Sequence, residues 1–150
     1  MAYFVFIKPD KDGSHSTTEN STIKQSEAET PQQKIIGGLL NLEKQLDEGM
    51  NFNMYEVKAK RLNAMIDQEL AKLPEDDFSK IVRQAQVDYM FAIVIWGGNI
   101  ENEGEQMPLS FMKLLHERYN LETINYGDEK VLKFIWLHAK VMTQGASKSL

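Results

Sequence analysis

Few residues in this 150-residue chain have a type and spacing suited to chemistry. The histidines are His15, His116 and His138, and none stands four residues from another His or an Asp. Without a His-Glu-x-x-His pair, a zinc site would have to gather its ligands from distant elements. Cysteine is absent, which removes thiolate metal sites, thiol nucleophiles and disulfide scaffolds together. No Gly-x-Ser-x-Gly elbow occurs, and Ser110 precedes Phe111 in a helical pattern, a poor setting for an exposed nucleophile. The remaining candidate is Asp88, the one carboxylate in the apolar run Val87–Trp96. Such a group is either at a rim or buried, and if buried it needs a donor or its pKa rises. Arg83, one turn earlier, and Arg118 are the candidate partners, and a structural ion pair is the commoner outcome.

The loop Asn99–Gln106 carries Glu101, Glu103 and Glu105. It resembles a calcium loop in outline, but Asn99 stands where Asp is preferred and Ser110 where a bidentate Glu is required. It reads instead as a solvated acidic loop facing a basic partner. Gly37-Gly38 lacks the Gly-Lys-Ser/Thr context of a phosphate loop. The net charge is −5, and the densest basic cluster, Lys58, Lys60 and Arg61, lies among acids. Nucleic acid is therefore not an expected partner. No metal or cofactor is implied. Met1–Ile7 has neither a preceding basic region nor a following cleavage site. Val87–Trp96 is about half the length of a membrane span. The expectation is a cytoplasmic protein without a membrane span.

These residues must be positioned by mainly α-helical structure. Ala2–Lys8 reads as a short strand (1–8) that stops at Pro9 and could pair with 121–126 or join a partner's sheet. Residues 9–30, rich in Ser, Thr, Asn and Glu, read as a flexible polar linker. Residues 31–143 read as a single bundle of about five helices, followed by a frayed tail at 144–150. Thr30-Pro31-Gln32-Gln33 predicts a capping box with proline at N1. Asn53 and Glu56 predict a second start, and Pro74 a stop. Glu75, Asp76 and Asp77 predict a third start, with Gly97-Gly98 as its C-cap. Pro108 opens a fourth helix that Asn120 stops, and Asp128 caps a fifth. The third helix is apolar nearly all round in its second half, so it should be the central helix or a docking face.

The missing catalytic constellations, the acidic balance and the orphan strand point to a non-catalytic protein-binding module. An adaptor, a secretion-type chaperone, a neutralising partner or a small subunit of an assembly would fit, as a homo- or hetero-oligomer. Its partner, one with a basic surface, would meet Tyr3, Phe4, Val5 and Phe6 by strand addition, or Tyr89, Phe91, Ile95 and Trp96 on the third helix. Glu101, Glu103 and Glu105 would form a polar rim. The competing expectation is a small helical enzyme or ligand-binding bundle with a site near Asp88, His116, His138 and Trp136.

Overall fold

The computed structural model describes residues 27–150. The expected strand at 1–8 and the linker up to residue 26 lie outside these residues. The described residues form five helices and no sheet: α1 (Pro31–Glu48), α2 (Phe52–Leu70), α3 (Asp77–Glu101), α4 (Leu109–Tyr119) and α5 (Glu129–Lys148). The chain is a mainly α bundle.

The helices start where local chemistry provides an acceptor. At α1 the capping box closes both ways: Gln33 N donates to Thr30 Oγ1 at 3.2 Å, and Thr30 N donates to Gln33 Oε1 at 2.9 Å. Asp76 accepts from Ser79 N at 3.0 Å, and Asp128 accepts from Lys130 N at 3.0 Å. Asn120 stops α4 in the left-handed region, at φ 54°, which Asn tolerates better than most residues.

Four expectations are corrected. Asn51, not Asn53, caps α2, accepting from Met54 N at 2.9 Å; Glu56 pairs with Lys60 at 2.7 Å instead of closing a box. Gly97-Gly98 does not end α3, which continues to Glu101. These glycines serve close approach: a Cβ on Gly97 would stand 3.2 Å from the Phe52 ring, and one on Gly98 would overlap the Tyr126 ring. Residues 121–126 are not a strand. Asn125 forms a single antiparallel bridge with Gln106, flanked by Met107 N donating to Ile124 O (2.7 Å) and Tyr126 N to Glu105 O (2.9 Å). The tail at 144–150 does not fray at 144, because α5 runs to Lys148 and Ala146 is buried under it.

α3 is the central helix. It packs most extensively against α5 and also against α2, while α1 closes the bundle over α2 and α5. Val82, Ala85, Ala92 and Ile95 of α3 meet a core that includes Leu39, Tyr55, Ile66, Ile135 and Ala139. Gly38 lets α1 and α2 close in, since a Cβ there would stand 2.7 Å from Leu62 and Met65. α4 is different. Leu115 is its one buried residue, a contribution of roughly 1.5–3 kcal/mol; Phe111, Met112, Leu114 and Tyr119 pack on the core only in part, and a polar contact adds to their hold.

Candidate functional site

That contact centres on Asp88. Its side chain is fully buried, at 0 % exposure, on the face of α3 turned toward α4 and α5. Arg118 Nε donates to Oδ1 at 2.8 Å, and Tyr119 Oη donates to the same oxygen at 2.6 Å. His138 Nδ1 of α5 lies 2.6 Å from Oδ2. A carboxylate only accepts, so Nδ1 is the donor in this contact. Arg118 also reaches Gln84, with Nη1 2.6 Å from Oε1 and Nη2 2.7 Å from the backbone oxygen. Tyr119 stacks on Phe91 and meets the His138 ring edge-on. Burial opposes the Arg118 charge, but the Asp88 carboxylate outweighs it and raises the guanidinium pKa. The Tyr119 hydroxyl is pushed up, first by burial and then by Asp88.

This arrangement is a clasp. It joins α3, α4 and α5 through one carboxylate whose two oxygens both have donors. The Asp–His contact fixes the imidazole, as in catalytic dyads, and leaves His138 with 29 % of its side chain exposed. His116, the third residue of the expected enzymatic site, does not join it. It stands on exposed α4 surface with Nδ1 4.0 Å from Glu122. Arg83 is also elsewhere, 3.6 Å from Glu75. Among the described residues no three His, Asp or Glu side chains converge as a metal site would require, and no helix is long and apolar enough to cross a membrane.

The aromatic residues form a second cluster. Tyr55 Oη donates to the Tyr89 backbone oxygen at 2.8 Å and accepts from Trp136 Nε1 at 3.2 Å. Trp96 and Trp136 meet edge to face with centroids 5.5 Å apart, and Phe52 and Tyr55 pack on Trp96. Burial pushes up the hydroxyls of Tyr55 and Tyr89. The two tryptophans also floor a surface groove between α1 and α5. One part, about 280 Å³, is lined by Glu43, Leu46, Asp47, Tyr89, Trp136 and Lys140, among others. The adjoining part, about 550 Å³, includes Met50, Trp96, Ile100, Glu103, Glu129 and Leu132.

The expected partner face on α3 is thereby corrected. Tyr89, Phe91 and Ile95 are core residues covered by the chain's own helices. Trp96 is partly buried and borders the groove. Glu101, Glu103 and Glu105 are exposed, and of these Glu103 lines the groove. Tyr3, Phe4, Val5 and Phe6 lie outside the described residues. Sequence reasoning named Asp88, Arg118 and His138 but missed that Tyr119 completes the clasp. It also missed the outward row Phe134, Leu137 and Val141 on α5, whose i, i+3, i+7 spacing is a visible signal. No protein family, curated protein or solved structure matches this chain.

Proposed function

We propose that the chain is a non-catalytic protein-binding module that uses the outer surface of α5. The observation that carries this reading is the row Phe134, Leu137 and Val141, exposed by 44 %, 54 % and 50 %. The opposite face of the same helix already buries Val131, Ile135, Ala139, Thr143 and Ala146. A helix that is apolar on both faces has more to bury than its own bundle covers. The Asp88 clasp is accounted for by packing alone. Its carboxylate ties α3 to α4 and α5 through Arg118, Tyr119 and His138, so no reaction is needed to explain its burial. Adaptor, chaperone, neutralising-partner and subunit roles all draw on a surface of this kind.

The test is the double variant Phe134→Glu/Val141→Glu. Both positions are exposed, so thermal unfolding should match the parent. Proteins retained by the immobilised parent from a lysate of its source cells should be lost from the variant. An unchanged set of retained proteins refutes the reading.

A further inference from the structure

The groove between α1 and α5 has the chemistry to choose among partners. Its floor is aromatic, with Trp96 and Trp136 partly exposed between Leu46, Met50 and Leu132. Its walls carry four acidic side chains, Glu43, Asp47, Glu103 and Glu129, against two basic ones, Lys133 and Lys140. Lys140 is already taken by Glu43, 3.2 Å away, and this contact raises its pKa. The other oxygen of Glu43, Oε2, is buried with no hydrogen-bond partner among the described residues. Asp47, Glu103 and Glu129 are exposed. The groove is therefore acidic in balance and apolar in floor. A phosphate or a lipid headgroup would be repelled at such a rim, whereas a cation gains both from the carboxylates and from indole faces.

We infer that this groove receives a basic segment of a partner protein. One apolar side chain of the segment lies on Trp96 and Trp136, and flanking arginine or lysine side chains meet Asp47, Glu103 and Glu129. The inference rests on the protein-binding reading and adds the chemistry of the partner. The volumes suit it, since a space of a few hundred Å³ holds one or two side chains rather than a folded surface.

Both tryptophans of the chain line this groove, so intrinsic fluorescence reports on it without a label. The probes are two synthetic peptides, one with a central leucine between pairs of arginines and one with glutamates in their place. The basic peptide should change the tryptophan emission saturably, and added salt should weaken binding. The rim variant Asp47→Asn/Glu103→Gln/Glu129→Gln, checked by circular dichroism to be folded, should bind about tenfold more weakly, as expected when rim charges steer and hold a cation. The glutamate peptide should give no response. Equal binding of the two peptides, or no response to the basic one, overturns the inference, as does a rim variant that binds like the parent. If the basic peptide fails while Phe134→Glu/Val141→Glu still abolishes retention, the groove assignment alone falls.

Discussion

Replacing Asp88 by Ala tests whether the clasp holds α4. The substitution removes the acceptor of Arg118 Nε, Tyr119 Oη and His138 Nδ1 at once. Arg118, with a side chain only 15 % exposed, then keeps its charge beside an empty position. Breaking a buried pair from one side costs about 3–5 kcal/mol, against about 5–15 kcal/mol of total stability for a domain of ordinary size. Asp88→Asn should cost less, about 1.5–3 kcal/mol, the scale of a hydrogen bond to a charged group. Its amide oxygen can still accept from Arg118 and Tyr119, and its N–H groups can face His138 Nδ1 once the ring proton moves to Nε2. Adding Arg118→Met to Asp88→Ala should recover part of the loss, because the stranded cation is gone. Urea unfolding followed by circular dichroism measures all four proteins, and hydrogen exchange should show α4 amides loosened first. An Asp88→Ala protein within about 1 kcal/mol of the parent, with α4 equally protected, would refute the reasoning.

Two further outcomes follow from the packing. Gly98→Ala should destabilise by about 1–3 kcal/mol through overpacking against the Tyr126 ring, although Ala for Gly inside an exposed helix gains roughly 1 kcal/mol; thermal unfolding gives the sign. The hydroxyls of Tyr55, Tyr89 and Tyr119 all have raised pKa values, so the folded state holds their protons more tightly than the unfolded state does. Stability is then fully present below the unfolded value of about 10 and falls as pH rises above it. Tyrosinate absorbance for these residues should appear together with loss of helix, and ionisation in a still-helical protein would contradict their burial.

The caps at Thr30, Asn120 and Asp128 were legible because each is decided within a few residues of chain. The central place of α3 was legible too, since a helix apolar on every side has to be surrounded. Gly97-Gly98 was misread because glycine serves both helix ends and close approaches. Only Phe52 and Tyr126, brought in from elsewhere, separate the two roles. Asp88 announced itself as a lone carboxylate, and Arg118 was one of two cations offered to it. The choice over Arg83, and the arrival of Tyr119 and His138 from 31 and 50 residues away, depend on tertiary placement that leaves no local mark. Tyr89, Phe91 and Ile95 show the same limit: their apolar character requires cover without saying whose. The groove arises only when Leu46 of α1 and Trp136 of α5 are set side by side.

The pairing at 104–107 and 124–127 has a consequence for how much of the chain is indispensable. Gly104 N donates to Tyr126 O at 3.0 Å, and Gly127 N to Asn99 Oδ1 at 2.7 Å, so the excursion bearing α4 is pinched shut at its base. The end of α3 and the start of α5 are tied together independently of what lies between. α4 is thus a cassette on a closed stem, and α1, α2, α3 and α5 form a frame of their own. Asp88 makes the cassette costly to remove, because excision would leave a buried carboxylate facing only His138. A shortened chain joining 104 to 127 would need apolar residues at both 88 and 138, which ties the identity of those two positions, on α3 and α5, to the presence of α4.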